Sequence, residues 1–273
     1  MSFIRKYSVL AFIVISVEII LLFLACNSKE DISRLPRTCE KMILSAESLT
    51  PSLFSSSEAE IFPVKEESSL SLLEKKLVSH SLVNISELDK SIIINIKYST
   101  ENNFLKKNLY GDLKKCYLQK DNAEKLVKAQ KLLKEKYPFY SLVVFDGVRP
   151  LSIQKMMWDE LKGVPEKNKW KYVSDPEVGS LHNYGCAVDV SIVNEEGWEM
   201  DMGTPYDYFG ELGHPIAEPI MLDEGKLTWR QFENRKLLRE VMFASGFTGI
   251  TTEWWHFNGS SLHIAGEKYH IID

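Results

Sequence analysis

Between Asp89 and Phe257 the chain mixes strand-like apolar runs with helical stripes, yet it never settles into the strand–helix–strand rhythm of a doubly wound sheet. No glycine-rich phosphate loop follows a strand. Ile92-Ile93-Ile94-Asn95-Ile96 is β-branched and reads as a strand. Leu142-Val143-Val144-Phe145 reads as a short buried strand ended by Asp146-Gly147, and Ala187 to Ile192 reads as another. Asp121 is placed to cap a helix running to about Lys136, with Ala123, Leu126, Val127 and Leu133 on its stripe. Ser152 is placed to cap a second helix, through Met156, Met157 and Leu161 to Gly163. Thr228 is placed to cap a third, which carries Phe232, Leu237, Leu238, Val241 and Met242 and stops at Gly246. Thr251 to Phe257 is aromatic and strand-like. The pattern predicts an α+β fold with a central, mainly antiparallel sheet flanked by helices, in a single domain spanning residues 84–273.

The front of the chain reads differently. Arg5 and Lys6 precede an apolar stretch from Val9 to Ala25, broken by Ser16 and Glu18 and ended by Cys26. Residues 1–26 therefore have a secretory signal layout. Ala25 before Cys26 resembles a bacterial lipoprotein cleavage box, in which the cysteine is lipidated. An uncleaved membrane anchor and a cleaved soluble signal are the other readings. All three place the remainder outside the cytoplasm, in the cell envelope. Residues 27–83 are rich in Ser and Glu, as in Ser55-Ser56-Ser57-Glu58, and read as a flexible spacer with room for a short helix near Leu70–Val78. The chain is 44% hydrophobic, enough to fill a core, so global disorder is excluded. A net charge of −5 with no basic run argues against a nucleic-acid partner. With Cys26 lipidated, Cys39, Cys116 and Cys186 remain. An odd number excludes a full disulfide framework and allows one Cys39–Cys116 bridge. Oligomeric state is not legible.

Two short segments concentrate polar residues able to do chemistry. One runs from Ser180 to Asp189 and the other is Glu253-Trp254-Trp255-His256. Catalytic zinc takes three protein ligands from His, Asp or Glu and keeps one position for water. His182, Asp189 and His256 can supply the three, which leaves Glu253 as general base towards the activated water. His182 and Asp189 are seven residues apart, an odd spacing that an unbroken strand would send to opposite faces. Gly185 permits a turn between them. Glu253 and His256 are three apart, so a bulge or strand end is expected within that tetrapeptide. Trp254 and Trp255 could wall the site. Arg149, in Asp146-Gly147-Val148-Arg149-Pro150 after a buried strand, is placed to steady the oxyanion formed when water attacks a peptide carbonyl. Singly, each residue has a plainer explanation: a surface histidine, a Glu–Lys pair, a structural arginine, core tryptophans. Together they point to a metal site.

The same segments resemble the D-alanyl-D-alanine dipeptidases of the VanX type, within the wider VanX/VanY group of zinc peptidases. That group shows S-x-H-x-x-G-x-A-x-D followed later by E-x-x-H. Ser180, His182, Gly185, Ala187 and Asp189 fill the first pattern, and Glu253 and His256 the second. E-W-W-H and D-G-x-R-P stand here as well, and similarity continues through Ile96–Thr100, Asn103-Phe104, Met202-Gly203-Thr204 and Asn234-Arg235. The resemblance implies one zinc ion per chain on His182, Asp189 and His256, with Glu253 as base and Arg149 on the tetrahedral intermediate. It also implies that Ser180 and Asp207 lie near the bound dipeptide, with Asp207 holding the free amino group and so restricting the enzyme to dipeptides. D-Ala-D-Ala or a related cell-wall peptide is the implied substrate, and the implied fold is α+β. The best-known dipeptidase of the family is cytoplasmic, whereas this chain carries an export signal. Two rival readings are a D,D-carboxypeptidase trimming peptidoglycan stems and a non-catalytic lipoprotein that binds wall peptides. Cys186 reads as a small buried residue rather than a ligand.

Overall fold

The two longest strand-type runs, Ser141–Asp146 and Ala187–Val193, are buried at every residue. Strands apolar on both faces need cover on both, and these two pair antiparallel in the middle of a five-stranded sheet. A computed structural model of the chain describes residues 70–273. The expected signal, Cys26, Cys39 and the spacer up to residue 69 lie outside the described residues.

In chain order the elements are α1 (Leu72–Ser79), β1 (Val83–Asn84), α2 (Ile85–Leu88), β2 (Ile93–Ile94), β3 (Tyr117–Leu118), α3 (Lys120–Lys136) and β4 (Ser141–Asp146), followed by α4 (Leu151–Glu160), β5 (Ala187–Val193), α5 (Glu218–Asp223), α6 (Trp229–Ser245), β6 (Thr248–Gly249), β7 (His256–Asn258) and α7 (Leu262–Lys268). The sheet order is β2-β4-β5-β7-β6. Only the β2–β4 edge is parallel; the other three pairings are antiparallel. The fold is therefore α+β with an antiparallel centre, as the pattern predicted. α3 buries Ala123, Leu126, Ala129 and Leu133 on one stripe and packs against α6. Gln130, on the same helix, is fully buried. Its Oε1 accepts from the Leu142 amide and its Nε2 donates to Ser91, tying helix to sheet.

α6 begins and ends where its sequence says. Thr228 and Gln231 exchange side-chain bonds to each other's amides, and Gly246 closes the helix at φ 102°. Two other starts differ. Gln119, not Asp121, is the N-cap of α3, because β3 leads straight into the helix. The Asp121 carboxylate instead accepts from Lys268 and the Tyr269 hydroxyl. Pro150, not Ser152, precedes α4, and the Leu151 amide donates to the carbonyl of Ile272, 2.8 Å away at the chain's end. The expected strand Ile92–Ile96 shortens to Ile93–Ile94 and turns into a 3-10 helix at Lys97–Ser99. Thr251–Phe257 is strand only from His256 onward.

The folded unit also starts upstream of residue 84. In α1, Leu77 is fully buried, and Glu74 meets Lys115 at 2.9 Å and the Tyr117 hydroxyl at 3.3 Å. Residues 72–83 belong to the domain, not to the spacer.

Candidate metal centre and active site

Pairing register builds the site. Asp146 lies opposite Asp189 on the neighbouring strand, and Asp189 lies opposite His256 on the next. Directly opposed residues share a face of the sheet, so three polar groups stand in a row across β4, β5 and β7. A register irregularity between Val144 and Asp146 sits beside this row, where a bulge commonly re-aims a side chain. His182 joins from a 3-10 turn, Leu181–Tyr184, which Gly185 ends at φ 68°. The turn resolves the odd spacing to Asp189. β7 starting at His256 resolves the spacing to Glu253.

His182 Nε2 lies 3.1 Å from His256 Nδ1, which is 3.0 Å from Asp189 Oδ1. Oδ1 is 3.4 Å from His182 Nε2. The outer nitrogens are already engaged: His182 Nδ1 with the Gly147 carbonyl at 2.6 Å, His256 Nε2 with Asn258 Oδ1 at 2.8 Å. Those acceptors place the imidazole protons on the outer nitrogens and aim two lone pairs and a carboxylate oxygen at one point. Unpaired lone pairs converging in a buried site call for a cation, and a His₂Asp donor set suits zinc. Burial would raise the Asp189 carboxyl, but the flanking imidazoles outweigh it and hold it well below the usual carboxylate range.

All seven residues singled out from sequence line one cavity of about 290 Å³: Arg149, Ser180, His182, Asp189, Asp207, Glu253 and His256. Glu253 Oε2 is 3.9 Å from His256 Nδ1. Burial lifts its carboxyl above its ordinary value against the pull of His256. Arg149 is 8% exposed; Nε and Nη2 donate to Asp146 Oδ2 at 3.0 and 2.7 Å, and its backbone amide donates to the His182 carbonyl. The Ser180 hydroxyl donates to Gln154 Oε1 at 3.0 Å. Asp207 adopts φ 60°, a conformation that costs a non-glycine residue roughly 1–3 kcal/mol. It accepts from the Tyr98 hydroxyl at 3.0 Å and the Phe104 amide at 3.3 Å. Burial and the nearby negative Asp189 push its carboxyl up to about 8. The two tryptophans separate: Trp255 lines the cavity, while Trp254 donates from Nε1 to Thr204 Oγ1. Cys186 is a fully buried thiol; among the described residues the metal-competent cluster is His182, Asp189 and His256.

Sequence reasoning missed the supporting groups. Asp146 stood inside a noted motif with no role. Here it anchors Arg149 and accepts from the Tyr110 hydroxyl at 2.8 Å. Asn258 was legible in principle, since it is two residues beyond His256 and shares its strand face. Tyr98 stood within the similar stretch Ile96–Thr100 with no role, and Tyr206 carries no local signal.

A zinc hydrolase centre is what this fold and donor set define: three candidate ligands, with a carboxylate and an arginine beside them in one small cavity. The family model described as D-ala-D-ala dipeptidase matches residues 78–270, and the chain belongs to that family of zinc metallopeptidases. The D-alanyl-D-alanine dipeptidase of Escherichia coli (strain K12) is 32% identical over 179 residues, covering 64% of this chain and 83% of that protein. That of Enterococcus faecium is 28% identical over 190 residues, covering 63% and 88%.

Proposed function

We propose that the chain hydrolyses the D-alanyl-D-alanine dipeptide at the cell envelope. The observation that carries this is the convergence of His182 Nε2, Asp189 Oδ1 and His256 Nδ1 in a cavity that also holds Glu253, Arg149 and Asp207. His182, Asp189 and His256 would hold a zinc ion, which would supply Lewis acidity and bring the pKa of a water molecule down to about 7. Glu253 takes the proton that water loses as it attacks the scissile carbonyl carbon, then delivers it to the nitrogen of the leaving D-alanine. A carboxyl lifted by burial suits both transfers. Arg149, held by Asp146, faces the oxyanion that develops on the carbonyl. Asp207 pairs with the substrate's ammonium group. A buried acid pushed up to about 8 lacks a counter-cation, and the ammonium is one. Ser180 lies beside the bound dipeptide. The layout of residues 1–26 supports export, with Cys26 acylated and the Ser/Glu-rich stretch as tether.

The full chain with zinc, mixed separately with D-Ala-D-Ala, L-Ala-L-Ala and a muramyl pentapeptide, tests this by the D-alanine released. Cleavage of D-Ala-D-Ala alone is expected. Release from the pentapeptide would make the protein a D,D-carboxypeptidase. Glu253→Gln should retain zinc and lose about 10²–10⁴-fold in turnover; near-normal turnover would remove Glu253 as the base.

A further inference from the structure

Asp189 has two oxygens, and the structure gives them different company. Oδ1 faces the two imidazoles, at 3.0 Å from His256 Nδ1 and 3.4 Å from His182 Nε2. Oδ2 accepts a hydrogen bond from the Tyr206 hydroxyl at 2.9 Å. Arg149 is the positive group near Oδ2; its Nη2 is 3.8 Å away and already bonded to Asp146 at 2.7 Å. Tyr206 is fixed from three sides, with ring centroids 5.1 Å from Phe145, 5.5 Å from Trp255 and 6.1 Å from Tyr98. A phenol so held has little freedom to leave Oδ2.

We propose that Tyr206 is a positioning residue for the zinc ligand Asp189: its hydroxyl occupies Oδ2, so that Asp189 serves the metal through Oδ1 alone. The inference rests on the zinc reading of the site. A buried carboxylate oxygen stripped of its donor is costly to leave unpaired. Arg149, 3.8 Å away, already has Nε and Nη2 on Asp146, so without the hydroxyl Oδ2 would be free to turn to a metal held through Oδ1 and take a position that the reaction needs open. Outer groups of this kind commonly set metal affinity by about 10–100-fold.

The test uses the full chain and Tyr206→Phe, which removes one oxygen and keeps the ring packing. Cobalt(II) in place of zinc reports coordination number through its visible absorption. The wild type is expected to show the intense band of a four-coordinate centre, and Tyr206→Phe a weaker band of higher coordination. Zinc affinity, measured against a chromophoric chelator, is expected to change by about 10–100-fold, with the metal-free melting temperature close to wild type. A variant whose cobalt spectrum matches the wild type overturns the role of Tyr206, whatever its affinity. A wild-type chain that takes up neither metal overturns the zinc reading itself, so the two failures are distinguishable.

Discussion

Among the described residues two buried clusters join arginine to a carboxylate, and they do different work. In the first, Arg149 spends Nε and Nη2 on a single oxygen of Asp146 and lines the catalytic cavity. In the second, Glu218 is shared by two arginines of α6. Arg239 grips both its oxygens at 2.7 Å, and Arg235 reaches Oε1 at 3.4 Å. Arg235 also donates to the carbonyls of Met202 and Leu212, at 2.6 and 2.9 Å. Asn234 beside it donates to the Asp201 carbonyl. This second cluster therefore pins to α6 the segment that carries Tyr206 and Asp207. Both places join a guanidinium to a carboxylate. What separates Arg149 from Arg235 is that one guanidinium lines the catalytic cavity while the other has Nε, Nη1 and Nη2 all committed to protein. A buried ion pair is not a functional signature until that is known.

The largest effect is expected at the fastener. Glu218→Ala leaves two guanidiniums without their acid, one of them only 1% exposed. Unfolding by denaturant should show a loss of about 3–5 kcal/mol. A loss under about 1 kcal/mol would mean that the cluster does not hold the segment. Next comes Arg149→Lys, which keeps a charge against Asp146 and loses the planar fork. It should lower kcat by about 10²–10³-fold while costing less stability than Glu218→Ala. Turnover near wild type would erase the distinction between the two clusters.

Asp207 extends the comparison to a buried acid with no cation bonded to it. In the metal-free chain its folded-state value is raised to about 8 from an ordinary 3.8. The folded form therefore holds an extra proton between about pH 4 and pH 8, and this contribution to stability falls as pH rises through that window. Melting of metal-free Asp207→Asn at pH 5 and pH 8 should show a smaller pH dependence than the wild type. An unchanged slope would mean that Asp207 ionises at its ordinary value. The smallest effect belongs to a control away from both clusters. Thr228→Ala removes the α6 cap and should cost about 1 kcal/mol with kcat unchanged.

Some of this was legible in the chain. The strands Ser141–Asp146 and Ala187–Val193 and the limits of α6 are written in short-range pattern: β-branched runs, a Thr–Gln capping box, a glycine at positive φ. Each signal is complete within a few residues, so it survives without knowledge of the rest. The metal-competent residues were legible too, because donor types stand at telling spacings around Gly185 and before His256. The helix starts at Gln119 and Pro150 were not, because distant groups override the local caps: Leu151 bonds the carbonyl of Ile272, and Asp121 is drawn to Lys268 and Tyr269. Nor could the sequence show that Asp146, Asp189 and His256 form one row, or that Tyr206 reaches Asp189. Those facts depend on pairing register and on where a long loop is pinned. A one-residue slip would turn each side chain to the other face, and only the packed tertiary structure selects the register that brings them together.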